Sequence, residues 1–397
     1  MRIALVSQAY PPETGGGGIS TQTYAKAHGL ASLGHEVHVI SHSVDASRHE
    51  SQDGEVSVVR IPGGNARLVV HTEPVRWLTY SAEVAAMVAE LHSRAPLDLV
   101  DFPDYGAEGY VHLLNRTEWN HLPTVVHLHG PLAMLAHTIG WPEIDSELYR
   151  VGVAMEGTCV RLADAVCSSS RCSVDWCTRQ YGLDPARVPI LHTGVDTTLF
   201  RPLDIAKDTR PTIIFVGKLA ANKGVETLIG AACRLAGEFP GLQVRLVGRA
   251  EAGMVDRLRS EADRAGLPNL LDFVGFVEHA ELPEHLCRAH VFAAPSIYEG
   301  GPGFVYLEAM ACGLPAIACA GSGVAEVIRD GQTGLLVPPG DVEALAEALR
   351  GLLADVDRSA RMGRRAREYV VAEADSRTCL RRIEAFYESV VRGSTSC

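Results

Sequence analysis

The sequence predicts an α/β fold made of two successive units, each built on a parallel sheet. Three observations carry that expectation. A strand, loop, helix, strand order opens the chain, the same order restarts after residue 210, and a polar stretch bounded by Pro202 and Pro211 lies between them. With 397 residues, 47% of them hydrophobic and 21% charged, the chain has enough material for two domains that each bury a core.

Taken in order, residues 2–7 (Arg2, Ile3, Ala4, Leu5, Val6, Ser7) are a short apolar run soon followed by Pro11 and Pro12. That reads as a first strand, not as a signal peptide. A Pro/Gly-rich loop leads into a helical stretch from about residue 20 to 33, closed by Gly34. Residues 36–41, centred on Val37, His38, Val39 and Ile40, form the second β-run. Further short β-like runs cover residues 56–61, 97–100, 124–127, 165–167 and 188–191, with helical segments between several of them. In the second half, strands are expected at 212–217, 243–248, 271–274 and 291–294, and helices at 225–239, 252–265 and 280–288. The last helix, about 376–391, carries Leu380, Ile383, Phe386 and Tyr387 at helical spacing, so one face must be buried.

The formal charge is −12, from 36 basic and 48 acidic residues. This argues against a general nucleic-acid binder and against attachment to anionic lipid by charge. Ten scattered cysteines without paired zinc-type spacing read as reduced thiols. No apolar run approaches the about 18 residues that span a bilayer, and no membrane insertion is expected. A cytoplasmic location follows from these readings.

The segment 298–313 is the most informative in the chain. Gly300, Gly301 and Gly303 leave backbone N–H groups unshielded just before a helix, and Pro302 is tolerated near such a start. The first helical turn has orphan donors and a partial positive charge, suited to phosphate or sugar oxygens. Glu308 lies one turn further in, where a carboxylate can accept hydrogen bonds from the vicinal hydroxyls of a ribose. Gly313 and Pro315 end the helix. Glu299 stands on the other side of the glycines, and the layout suits a sugar nucleotide.

These segments, with Phe215 to Leu219, Asn222-Lys223-Gly224 and Gly331 to Leu336, resemble the retaining glycosyltransferases of family 4. In the first half the same resemblance covers the glycine run 15–18, Val126-His127-Leu128-His129-Gly130 and residues 193–202. It implies the GT-B architecture, two Rossmann-like doubly wound domains facing across a cleft. The acceptor domain would be residues 1–203 with a returning C-terminal helix 376–397, and the donor domain 204–375. By matching positions, Lys218 and Lys223 would neutralise the donor diphosphate, Glu308 would hold the ribose, and Glu299 would lie near the donor sugar. Lys218 stands where arginine is commoner, and it lacks the planar fork. Eight residues separate Glu299 from Glu308 where seven are usual, an excess that a one-residue bulge in the glycine loop could absorb.

The loop with Phe276 and Val277 matches the place where the family grips the base, and Arg249 is a further candidate for the nucleotide. Phe304 and Val305 belong to the amide-bearing helix start. In the first half, Gly17 and Gly18 are candidates for lining the donor site. His129, at a strand's C-terminal edge, would lie beside the transferred sugar, with His127 able to share the role. Asp101, Asp104 and Glu108 would suit a cationic acceptor.

The activity expected from the resemblance is transfer of a hexose-type sugar, with retention, from a nucleoside-diphosphate sugar, UDP-sugar first, to a hydroxyl of a small soluble acceptor. No cofactor and no metal are expected. An epimerase or phosphorylase on the same architecture, and a non-catalytic sugar-nucleotide sensor, are the alternatives.

Overall fold

The computed structural model describes residues 1–15, 17–45, 47–63 and 72–394. The chain forms two compact units, Met1–Thr193 with Arg377–Cys397, and Gly194–Ser376.

In the first unit, β1 (Arg2–Val6), β2 (Glu36–Ser43), β3 (His49–Asp53), β4 (Val56–Pro62), β5 (Leu99–Pro103), β6 (Thr124–Leu128) and β7 (Ala165–Ser168) form one sheet. The strand order is β3-β4-β2-β1-β5-β6-β7. All pairs are parallel except β3 with β4. From β1 the chain steps outward through β2 and β4, then returns to β5 on the other side, so the reversal falls between β1 and β5. Alternate residues of β1 feed opposite faces. Ile3 and Leu5 pack with Ala27 and Leu30 and with Ile383, Tyr387 and Val390 of the last helix, Ser376–Ser394. Ala4 and Val6 pack with Tyr80, Val84 and Val88 of the helix Glu73–Arg94. The buried face that the periodicity of the last helix requires is therefore spent on the first unit.

Two local differences from the sequence expectation have plain causes. Strand β3, His-Glu-Ser-Gln-Asp, has no apolar signal because it is a mostly exposed edge hairpin partner of β4, turned around Gly54 at φ 60°. Residues 188–191 make only an isolated bridge, Ser168 to Ile190, because Pro189 has no N–H to extend a ladder.

In the second unit, β8 (Thr212–Val216), β9 (Gln243–Val247), β10 (Leu271–Gly275), β11 (Val291–Ala293), β12 (Ala316–Cys319) and β13 (Gly334–Val337) pair in the order β10-β9-β8-β11-β12-β13. Every pair is parallel. Strand β8 is buried along its whole length, as an apolar run covered on both faces should be. Here the reversal of strand order falls between β8 and β11.

The units divide at 193/194 and 376/377, where the sequence suggested 203/204 and 375/376. The ten-residue difference arises because Phe200 is fully buried in the second core. Arg367 also donates to the carbonyl oxygens of Thr197 and Ala311, at 3.1 and 2.8 Å, and Val195 bridges to Asp375.

Among the described residues no helix is long and apolar enough to cross a membrane. Cys159, Cys167, Cys177, Cys287, Cys312 and Cys319 are buried free thiols.

Candidate active site

In the second unit the loops after β8 and β11 meet at the switch point. A short turn, Ala221–Lys223, ends at Gly224 with φ 70°, just before the helix Val225–Leu235. A Cβ at Gly224 would stand 2.0 Å from the carbonyl oxygen of Pro295, so glycine is what lets the two loops touch. The Ile297 N–H and the Ser296 hydroxyl both donate to the Asn222 carbonyl, at 3.0 and 3.2 Å. These contacts set Lys223 beside Glu299, with Nζ 2.7 Å from Oε1. Both side chains are partly withdrawn from water, at 30% and 18% exposure. Lys218 is placed differently. It pairs with Glu251 at 2.7 Å in a well-exposed position, so the two lysines do not share one carboxylate.

Gly303, at φ 64°, caps the helix Phe304–Ala311, and a Cβ there would meet the Tyr306 ring at 2.6 Å. The glycine loop ahead of it is tied down. The Gly323 N–H donates to the Glu299 carbonyl at 2.8 Å, and a Cβ at Gly323 would stand 2.5 Å from the Gly301 oxygen. Residues 300–303 are outside the helix, so the extra residue between the two glutamates falls in a loop with a fixed path. Phe304 and Val305 are half-buried against the core.

Glu308 is 5% exposed, and its Oε1 lies 2.8 Å from Nε2 of His279, whose side chain is 60% exposed. The hydrogen bond to Glu308 is the main reason the His279 pKa is raised above the ordinary histidine value. The imidazole also packs on Phe200, with ring centroids 4.9 Å apart. Sequence reasoning passed over His279 because a lone loop histidine carries no periodic or spacing signal. Its one pointer was its place directly after Phe276, Val277 and Glu278. In the same loop Phe276 is exposed, and the Arg249 guanidinium lies over its ring at 4.8 Å. Val277 packs partly against the core. The structure thus brings Arg249 to Phe276, Lys223 to Glu299 and His279 to Glu308.

In the first unit His129 follows β6. Its backbone N–H and that of Gly130 donate to the two oxygens of Asp104, at 2.9 and 3.2 Å, which fixes the turn. The His129 ring stacks on His127 with centroids 4.3 Å apart and an interplanar angle of 19°. Its Nδ1 lies 3.2 Å from Ser169 Oγ. His127 is held on both sides, with Nδ1 3.1 Å from Lys26 Nζ and Nε2 3.1 Å from the Leu191 carbonyl. Burial is the first cause that pushes the pKa of both imidazoles well below the usual value, so both are neutral.

The acidic residues nearby are not a surface for a cation. Asp101 is buried, pairs with Lys26 and accepts from Tyr387. Asp104 and Glu108 are buried, and burial raises their pKa values to about 6 and about 8. The expectation of an acidic acceptor loop is therefore corrected, because these carboxyls are structural.

Gly17 caps the helix Gly18–Ser32, and both glycines are exposed with nothing within 4 Å of where a Cβ would stand. Gly16 of the same run lies outside the described residues. Among the described residues no group of three or more His, Cys, Asp or Glu is placed to hold a metal ion.

Two doubly wound α/β units, with Lys223 paired to Glu299 at the switch point of the second, define a double Rossmann-like class of fold. Residues 17–194 match the glycosyl transferase 4-like domain, and residues 198–369 match glycosyl transferases group 1. The chain is 32% identical to alpha-maltose-1-phosphate synthase of Mycolicibacterium smegmatis, over 94% of this chain and 95% of that one. It is 30% identical to the GDP-mannose-dependent alpha-(1-6)-phosphatidylinositol monomannoside mannosyltransferase of Mycobacterium tuberculosis, over 94% of each. The fold is similar to that of sucrose-phosphate synthase from Thermosynechococcus elongatus, with a TM-score of 0.82, 24% identity and 99% of each chain covered. The chain belongs to the family-4-type glycosyltransferases of the GT-B fold.

Proposed function

We propose that this glycosyltransferase moves a hexose-type sugar from a nucleoside-diphosphate donor, UDP-sugar first, to a hydroxyl of a small soluble acceptor, with retention of anomeric configuration. The observation that carries the reading is Glu308. It is a nearly buried carboxylate in the second turn of a glycine-led helix, with one oxygen held by His279. A carboxylate at that depth accepts from the vicinal hydroxyls of a ribose once His279 yields the shared oxygen, while the helix start ahead of it meets phosphate oxygens.

Lys223 is assigned to the charge that grows on the leaving diphosphate. Its ion pair with Glu299 keeps it oriented, and Glu299 in turn is assigned to the donor sugar. Lys218, on its exposed pair, contributes longer-range charge. Amides at Gly300, Gly301, Gly303, Phe304 and Val305 are assigned to the phosphates and sugar, and the Arg249–Phe276 stack with Val277 to the base. From the first unit, His129 and the amides at Gly17 and Gly18 are assigned to the donor. Open space around both glycines lets a ligand approach that backbone. With lysine and amide donors supplying the charge stabilisation, no metal is needed in this scheme. In the front-face route the leaving phosphate itself takes the acceptor proton.

The relatives' names divide on substrate: one names a maltose phosphate, the other a GDP-mannose donor and a phosphatidylinositol glycoside. The deciding experiment screens UDP-, GDP- and ADP-sugars for thermal stabilisation and then tests the winning donor against soluble sugars and a glycolipid, with and without a chelator. Release of nucleoside diphosphate with an α-linked product from an α-donor supports the reading. Sugar conversion without an acceptor, or binding without turnover across the panel, overturns it.

A further inference from the structure

A buried polar chain in the first unit runs from the last helix to His129, through groups whose donor and acceptor capacity is fixed. Asp101 on β5 accepts from the Tyr387 hydroxyl of the last helix and pairs with Lys26 of the first helix. Lys26 lies 3.1 Å from His127 Nδ1, and His127 Nε2 lies 3.2 Å from Ser169 Oγ. Ser169 Oγ also donates to Gln22 Oε1 at 3.2 Å and lies 3.2 Å from His129 Nδ1. Gln22, Lys26, Asp101, His127, Ser169 and Tyr387 are each less than 5% exposed, so water does not supply alternatives.

We propose that Lys26, acting through His127 and Ser169, fixes the tautomer of His129, with the proton on Nδ1 and a bare lone pair on Nε2. The chain of reasoning is a proton count. An ammonium has three donors and no lone pair, so His127 Nδ1 must accept from Lys26 and is itself unprotonated. The neutral ring then carries its proton on Nε2, where the Leu191 carbonyl and Ser169 Oγ receive it. The single proton of Ser169 goes to Gln22 Oε1, an atom that can only accept. No donor is left for His129 Nδ1, so Nδ1 carries its own proton and gives it to the remaining lone pair of Ser169. His129 Nε2 is thereby an acceptor, the form that receives a hydrogen bond from a hydroxyl. Lys26, Ser169 and Gln22 are positioning residues in this scheme. Their effect on turnover rests on the proposed contact of His129 with the donor sugar, whereas the tautomer itself does not.

The test is long-range proton–nitrogen NMR on the full-length chain with ¹⁵N-labelled histidine, His129 being assigned from the signal lost in His129→Gln. The expected spectrum has His129 Nδ1 protonated and Nε2 bare, and Ser169→Ala turns it into a mixture of tautomers while His127 is unchanged. Lys26→Met is expected to release both rings and to lower kcat about tenfold with little change in donor KM. Because that variant strands a buried carboxylate and can fail to fold, Ser169→Ala is the decisive one. A proton on Nε2 of His129 in the parent, or an unmoved tautomer in Ser169→Ala, overturns the proposal. If the tautomer shifts but His129→Gln keeps full turnover, the relay stands and the contact of His129 with the donor falls.

Discussion

His279 Nε2 sits 2.8 Å from Glu308 Oε1, with the imidazole mostly in solvent and the carboxylate mostly out of it. The pairing raises the His279 pKa, so its stabilising contribution is full below the ordinary histidine value and is lost as pH rises through the raised one. Asp196 adds to the same shift. Because a bound ribose needs the Glu308 oxygens, the charged imidazole competes with it. Affinity for a nucleoside diphosphate is therefore expected to rise as pH climbs from the ordinary histidine value through the raised one. In His279→Ala the rise should be smaller than in the parent, what remains being the ligand's own phosphate ionisation; a slope equal to the parent's assigns the pH dependence elsewhere.

Lys223 and Lys218 should separate kinetically. Lys223→Ala removes a partly buried cation and leaves Glu299 unpaired, so kcat is expected to fall at least about tenfold, the equivalent of one charged hydrogen bond. Lys218→Ala breaks an exposed pair with Glu251 and should cost less than about fivefold. Steady-state kinetics on the two variants checks the order, and a larger loss at Lys218 would reverse the assignment.

Gly224→Ala tests whether the contact between the two loops builds the site. The residue is at φ 70° and its Cβ would overlap the Pro295 carbonyl, so a cost of at least about 1–3 kcal/mol is expected from the backbone alone. A lower Tm should accompany a loss of turnover like that of Lys223→Ala, since the same contact orients Lys223. Full activity at an unchanged Tm would show that the loops can separate without consequence.

Glu108 is buried, and burial raises its pKa to about 8. The unfolded chain ionises this group near the ordinary carboxylate value while the fold keeps it protonated, so the unfolded state binds fewer protons in between. Stability contributed by Glu108 therefore falls as pH rises from about 4.5 to about 8. In Glu108→Gln that part of the decline should be missing from Tm measured across the same range.

Much of the fold was legible because the apolar runs are strong. Residues 2–7 and 212–217 lie in the middle of their sheets, and the unbroken hydrophobicity of 3–6 and 213–216 within them reflects two covered faces. The polar edge strand His49–Asp53 left no such trace, and the apolar run 188–191 misled because Pro189 stops a ladder that hydrophobicity alone suggests. At the site, the glycines singled out Glu299 and Glu308 and the resemblance singled out Lys223, and the fold brings Lys223 and Glu299 into contact. Hidden were pairings that depend on loops meeting in space: His279 with Glu308, Lys218 with Glu251, and Lys26 with Asp101 from 75 residues away. The last of these also makes a core group of Asp101, an apparent surface acid. No local pattern distinguishes a buried aspartate whose cation lies on another element.

The most direct test of the account is calorimetric titration of Glu308→Ala with whichever nucleoside diphosphate most stabilises the parent protein. Loss of charged hydrogen bonds worth roughly 1.5 to 3 kcal/mol each predicts binding weaker by at least about tenfold. An affinity equal to that of the parent would take Glu308 out of the nucleotide site and contradict the proposed donor geometry.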